Sequence, residues 1–126
     1  MSTHPDRRDT RRIIVGREYG ISFNLKGHFY GDVRITNLST GGCFALVGAR
    51  DARLLSRGSV LEGLVLLHPE LPKAPILAAV SYVLGGHPGA DPMEMVGLGI
   101  QFLGMDDEAQ RALDVWVTAA HITPVD

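Results

Sequence analysis

Four arginines near the start of the chain have a spacing that could hold an anionic ligand. They form two overlapping pairs four residues apart, Arg7 with Arg11 and Arg8 with Arg12. A guanidinium group stays charged and presents a planar fork of N–H donors. It can bind phosphate oxygens bidentately or donate to the O6 and N7 atoms of guanine. Taken alone, the cluster is equally consistent with a solvated basic tail or an arm for non-specific nucleic-acid contact.

The segment from Asn37 to Gly42, with the sequence NLSTGG, is the second candidate. Asn37 and Ser39 have short polar side chains that can bond to local backbone or face outward. Gly41 and Gly42 would allow a positive φ and let a ligand approach the backbone closely. Consecutive N–H groups in such a turn can form an anion-binding concavity. Taken alone, the segment is about as consistent with a ligand-free strand connection.

The other reactive side chains lack a spacing that predicts catalysis or metal binding. Cys43 alternates with Ala45 and Val47, which is typical of a buried small hydrophobe. Ser39 is not part of a Gly-x-Ser-x-Gly elbow, and the Gly-x-Gly at 97–99 does not precede a helical pattern. The histidines are scattered: His4, His28, His68, His87 and His121. We therefore expect no metal site, no cofactor and no enzymatic activity.

Length and charge limit the class of protein. The chain of 126 residues fits one domain, and its single cysteine excludes an intramolecular disulfide. Residues 1–17 carry five arginines and two aspartates, a net +3, whereas the remainder carries −5. A basic arm on an acidic body indicates an anionic partner, and the acidic body argues against binding DNA or RNA. With no secretory signal and no apolar run of ~20 residues, we expect a cytoplasmic protein without a membrane span.

Alternating apolar residues predict a series of β-strands after Gly16. Tyr19, Ile21, Phe23 and Leu25 follow a period of two, and a turn at 26–27 leads into the next strand. In that strand the alternation places three residues on one face (Phe29, Val33 and Ile35) and four on the other (Tyr30, Asp32, Arg34 and Thr36). Further strands are predicted at 43–47, 60–67, 76–84 and 95–103, with one helical turn within 49–56.

A helical pattern follows the last predicted strand. Leu113, Trp116, Val117 and Ala120 form one apolar stripe, and Asp106 is the predicted N-cap. The chain is therefore expected to be mainly β, with six antiparallel strands closed into a barrel and a C-terminal helix that covers one opening. We assign residues 1–17 to a flexible arginine-rich arm, 18–121 to the barrel domain with its helix, and 122–126 to a tail.

The two candidate segments, in this order, resemble the signature of the PilZ family. That signature is Arg-x-x-x-Arg followed, about one hairpin later, by Asp/Asn-x-Ser-x-Gly-Gly. The first part matches Arg7/Arg8 to Arg11/Arg12 and the second matches Asn37 to Gly42. Val96 to Leu103 and the helix after it are also similar to the end of the family's domain. The resemblance therefore extends from Arg7 to about residue 121.

The resemblance implies a PilZ-like barrel that binds the bacterial messenger cyclic di-GMP without reacting with it. By the family's pattern, Arg7, Arg8, Arg11 and Arg12 would contact guanine edges and phosphates. Asn37 and Ser39 would hold a guanine, and Gly41 and Gly42 would allow close packing. At the position of Asn37 the family often has Asp, whose carboxylate would form an ion pair with an arginine. Asn37 cannot form that ion pair, although it can still hydrogen-bond to a base edge. The doubled arginines allow two registers, of which we favour Arg7 with Arg11.

The ligand is expected to neutralise the arm and order it across the barrel, creating a surface for a downstream protein. Arg11→Ala and Ser39→Ala should each weaken binding by roughly 1–3 kcal/mol. The family's outputs include motility, surface polysaccharide and virulence, and the sequence does not distinguish between them. The alternative is a PilZ-like protein–protein adaptor that needs no ligand.

Overall fold

The computed structural model describes residues 11–86, 89, 91 and 93–122, without the side chains of the last two. This part of the chain contains seven strands and two helices. They are β1 (Ile13–Ile14), β2 (Gly20–Leu25), β3 (His28–Leu38), β4 (Gly42–Gly48), α1 (Ala49–Ala52), β5 (Val60–Leu67), β6 (Ile76–Leu84), β7 (Met95–Gly104) and α2 (Asp107–Ile122).

Six of these strands close into a barrel. The order is β3-β2-β5-β6-β7-β4, and β4 pairs back onto β3, with every pairing antiparallel. Closure leaves no free edge in the ring of strands, which removes the unpaired N–H and C=O groups that an open sheet would present. The predicted six-stranded antiparallel barrel with a C-terminal helix is confirmed.

Strand β1 comes from the segment that the sequence assigns to the arm. Ile13 lies opposite Leu38 and Ile14 opposite Asn37 on β3. The last part of the predicted arm is thus paired with the barrel. The proposed division of the chain at residue 17 stays a prediction, as does the tail, which beyond Ile122 lies outside the described residues.

An irregularity in the β2–β3 hairpin changes which residues of β3 are buried. Phe23 lies opposite Tyr30 and Ile21 opposite Val33, so β3 carries one extra residue between these pairs. Asp32, within this stretch, has a φ of 52°. Such a bulge reverses the inward and outward alternation on one side of it. The prediction that Phe29 shares a face with Val33 was therefore wrong: Phe29 is 64% exposed and Tyr30 is buried.

The barrel interior is filled by side chains from all six strands and from α2. Tyr30 stacks on Phe23 with ring centroids 4.9 Å apart, and its hydroxyl donates to the carbonyl oxygen of Asp51 at 2.9 Å. Cys43 is fully buried, as predicted. Burial raises the pKa of its thiol to about 12, and the nearby Arg12 guanidinium lowers this pKa by a smaller amount.

Helix α2 begins and packs as its sequence predicts. The backbone N–H of Ala109 donates to Oδ1 of Asp106 at 2.7 Å, which is an N-cap contact. Leu113 and Val117 are fully buried in the core. Trp116 packs against it, with its ring centroid 5.8 Å from that of Tyr19. Neither helix in the described part of the chain combines the length and apolar character needed to cross a bilayer.

Candidate ligand-binding site

The two predicted ligand segments meet through Arg12 and Asn37. The pairing of Ile14 with Asn37 brings the end of the arm beside the end of β3. Nη1 of Arg12 donates a 2.8 Å hydrogen bond to Oδ1 of Asn37, 25 residues further along the chain. Arg11 precedes this contact and is exposed. Arg7 and Arg8 lie outside the described residues, so their roles stay predictions.

Ser39 closes the turn between β3 and β4. Its backbone N–H donates to the carbonyl oxygen of Gly42 at 2.8 Å. Its hydroxyl donates to the same oxygen at 3.2 Å and accepts the N–H of Gly41, also at 3.2 Å. Ser39 is 5% exposed. Since a hydroxyl has one proton to donate, that proton is used inside the turn, and only a remaining lone pair could accept from a ligand.

The two glycines of the turn differ in the space that surrounds them. Neither has a positive φ, so the turn does not use the conformational freedom that these glycines would allow. A Cβ on Gly42 would lie 2.1 Å from the carbonyl oxygen of Ile100 on β7, which only glycine can accommodate. A Cβ on Gly41 would meet nothing within 4 Å. The close approach at Gly42 depends on a distant strand, and the local sequence does not reveal it.

Two of the N–H groups that could line the predicted anion-binding concavity are already used within the turn. Its N–H groups at Ser39 and Gly41 already donate, to the Gly42 carbonyl and to the Ser39 hydroxyl. The turn thus links β3 to β4 through its own hydrogen bonds. Beside it, the Arg12 guanidinium supplies positive charge.

A row of residues extends from Asn37 across the outer face of the barrel. Asn37 lies opposite Ile14 on one side and Phe44 on the other. Phe44 lies opposite Gly99, which in turn lies opposite Tyr82. Directly opposed residues in antiparallel strands project from the same face. We call this set (Ile14, Asn37, Phe44, Gly99 and Tyr82) the cross-strand row.

Two aromatic rings of the row lie over glycines of β7. A Cβ on Gly99 would lie 2.1, 2.3 and 2.5 Å from three adjacent ring atoms of Tyr82, so this ring covers the glycine. A Cβ on Gly97 would lie 2.3 Å from Cζ of Phe44. The ring centroids of Phe44 and Tyr82 are 6.2 Å apart. Tyr82 remains 42% exposed.

The sequence did not predict Phe44 or Tyr82 as site residues. The available signal was the Gly-x-Gly of β7, since strand glycines are often covered by an aromatic side chain of a neighbouring strand. Recognising it required the strand register. Gln101 was also missed: its exposed carboxamide lies opposite Gly42, next to the turn.

The surface suits a flat, anionic ligand with hydrogen-bonding edges. Arg12 supplies charge and N–H donors, Asn37 supplies an amide, and the two rings supply apolar faces. Within the described part of the chain, no group of three or more His, Cys, Asp or Glu side chains could hold a metal ion. His4, His87 and the side chain of His121 lie outside that part.

Three solved structures illustrate what this chain resembles. The PilZ domain of YcgR from Escherichia coli, solved with cyclic di-GMP, matches with a TM-score of 0.69 and 17% identity over 93% of each chain. The K. pneumonia MrkH complex with cyclic di-GMP matches with a TM-score of 0.66 and 21% identity over 94% of this chain and 56% of MrkH. The Bacillus subtilis inhibitor of motility MotI/DgrA has a TM-score of 0.71 and 17% identity over 93% of this chain and 52% of MotI.

These likenesses establish the fold. The chain has the fold of a PilZ domain, as its motifs predicted. It spans about half the length of MrkH and MotI and nearly all of the isolated YcgR domain. No protein-family profile and no curated protein matches the sequence.

Proposed function

We propose that this protein is a receptor for cyclic di-GMP that binds the messenger on the outer face of its barrel. The observation that carries the proposal is the hydrogen bond between Arg12 and Asn37. It joins the two segments of this sequence that resemble the family's ligand-binding signature. The fold supports the same assignment, because the YcgR domain and MrkH were solved as complexes with cyclic di-GMP.

The residues of this surface have distinct proposed roles. The guanidinium groups of Arg7, Arg8, Arg11 and Arg12 bind phosphates and the acceptor edge of guanine. Asn37 offers both an amide donor and an acceptor to a base once Arg12 turns towards the ligand. Ser39 acts mainly by keeping the turn closed, and Gly41 leaves the ligand's approach open.

Ligand binding also orders the arginine-rich arm. Strand β1 already anchors the residues after Arg12 to β3. On binding, Arg7 and Arg8 are drawn to the ligand phosphates. The new surface of arm and ligand then recruits a downstream protein. Trypsin, which cleaves after arginine, should cut wild type within 7–12 more slowly when cyclic di-GMP is present. Equal cleavage rates would contradict the ordering step.

Binding experiments distinguish the receptor role from two others, a ligand-independent adaptor and a nucleic-acid-binding protein. A ligand-independent adaptor would bind a protein partner and give no heat with cyclic di-GMP. A nucleic-acid-binding protein would prefer an oligonucleotide. The expectation that the chain binds neither DNA nor RNA stays a prediction, since MrkH is described as a cyclic di-GMP-dependent transcription regulatory factor. A cytoplasmic location likewise stays a proposal.

Calorimetric titration tests the receptor role. Wild-type protein titrated with cyclic di-GMP should give saturable heat, and an excess of GTP or of a random oligonucleotide should leave the isotherm nearly unchanged. Cyclic di-AMP is the sharper competitor, because it keeps both phosphates and changes only the base edges. Absence of heat with cyclic di-GMP, or its full displacement by GTP, would overturn the proposal.

A further inference from the structure

We infer that Tyr82, supported by Phe44, is the surface on which one guanine of the ligand stacks. The inference rests on the proposed function and adds to it a specific subsite on β4, β6 and β7. It is carried by the cross-strand row, which connects these rings to the Arg12–Asn37 contact through adjacent strand positions.

The distances along the row suit a ligand with two nucleotide units. Neighbouring strands are spaced by about 4.8 Å, so Phe44 is one spacing from Asn37 and Gly99 is two spacings, about 10 Å, away. The Tyr82 ring reaches back over Gly99 and so occupies this second position. A base held at Asn37 and a base held on Tyr82 are thus separated by the width of two strands, which a cyclic dinucleotide can span.

The Tyr82 ring lies against the backbone of Gly99 and is 42% exposed. The glycine at position 99 lets the ring lie directly on the backbone, where any other residue would push it away. The neighbouring Ser81 hydroxyl donates to the Gly99 carbonyl oxygen at 3.1 Å, which ties β6 to β7 at this point. An ordered ring loses little rotational freedom when a base stacks on it, so more of the stacking free energy appears as affinity.

Arg12 supplies positive charge at the Asn37 end of the cross-strand row. Guanidinium groups also stack on planar rings, so Arg12 and Tyr82 offer the ligand contacts from two ends of the row. Charge on the arm and apolar rings on the barrel then select a planar base linked to phosphate. An apolar peptide would leave the arginines of the arm unneutralised, and a free phosphate would leave the rings uncovered.

The test compares three ring variants with a matched control, using cyclic di-GMP as the probe. Tyr82→Leu and Phe44→Leu should weaken binding by about 5- to 100-fold, the range for loss of one stacked base, with the larger effect at Tyr82. Tyr82→Phe keeps the ring and should bind within about 2-fold of wild type. Phe29→Leu removes a ring that is more exposed than Tyr82 and lies near the opposite end of β3, and it should leave affinity unchanged.

A spectroscopic readout separates stacking from a loss of folding. In the presence of wild type or Tyr82→Phe, the guanine H8 resonance should shift upfield through the ring current, and with Tyr82→Leu it should not. Wild-type affinity in both leucine variants, or an unshifted H8 with bound wild type, would overturn this inference while the receptor role stands. Failure of wild type to bind cyclic di-GMP would overturn both.

Discussion

Nη1 of Arg12 lies 2.8 Å from Oδ1 of Asn37 and links the arm to the barrel. The link depends on β1, because the pairing of Ile14 with Asn37 determines how far the arm runs along β3. Asn37 is also the first barrel position of the cross-strand row. The contact therefore lies where the charged part of the site joins its aromatic part.

The first prediction concerns this pair. Arg12→Ala and Asn37→Ala should each weaken binding of cyclic di-GMP by about 1–3 kcal/mol, because we propose that each side chain contacts a base or phosphate. The double variant should lose less than the sum, since residues in contact act together. Arg53→Ala, an exposed arginine that follows α1, is the control and should bind as wild type. Unchanged affinity in both single variants would contradict the assignment.

The second prediction concerns the hydroxyl that closes the turn. Ser39→Ala should lower the free energy of unfolding by about 1–3 kcal/mol, because the part-buried N–H of Gly41 loses its acceptor. It should also weaken ligand binding by roughly 1–3 kcal/mol. Urea unfolding and calorimetry measure the two effects separately. Ser56→Ala removes an exposed hydroxyl elsewhere and should change stability by no more than about 0.5 kcal/mol. Equal effects of the two substitutions would be inconsistent with the structural role of Ser39.

The third prediction separates the adjacent glycines. Gly42→Ala should lower the free energy of unfolding by up to about 3 kcal/mol, because its Cβ would lie 2.1 Å from a carbonyl oxygen of β7. Gly41→Ala should fold as wild type, because its Cβ meets open space. We expect the opposite order for binding: folded Gly41→Ala should bind cyclic di-GMP more weakly, because we propose that the ligand approaches over this glycine. Thermal unfolding with a parallel titration measures both, and similar melting temperatures for the two variants would contradict the packing at Gly42.

The fourth prediction concerns pH. Burial raises the pKa of the Cys43 thiol from 9.0 to about 12, so the unfolded chain releases this proton at a lower pH than the folded chain does. The stabilising effect is complete below about pH 9 and is lost as pH rises towards 12. The stability of wild type relative to Cys43→Ala should therefore be constant at neutral pH and fall above pH 9. If the stabilities of wild type and Cys43→Ala, measured by urea unfolding, stayed parallel above pH 9, this prediction would be contradicted.

Much of the fold could be predicted because its strands follow local rules. The strands at 60–67 and 76–84 have the predicted bounds, and Asp106 caps α2 as expected. The error at Phe29 has a physical cause: the pairing of β2 with β3 includes a bulge near Asp32, which the local pattern of apolar residues does not reveal. Buried and exposed side chains alternate with a period of two only where the strand contains no bulge.

The site was predicted less completely, because much of it is created by strand register. Arg12 and Asn37 were named as candidates from their side-chain chemistry; the structure brings them into contact, and their role in binding stays a prediction. Phe44 and Tyr82 lie 38 positions apart and become neighbours only through β7. The reason for glycine at position 42 is likewise an oxygen atom of β7. Each of these features depends on a strand distant in sequence.

The most direct test of the receptor role is a ¹H–¹⁵N spectrum of the full chain titrated with cyclic di-GMP. We expect saturable shifts concentrated in the amides of 11–14 and 37–44 and along the cross-strand row at 82 and 97–101. The amides of 56–60, near the loop before β5, should change little. No shifts at saturating ligand, or shifts confined to that loop, would contradict binding at the Arg12–Asn37 surface.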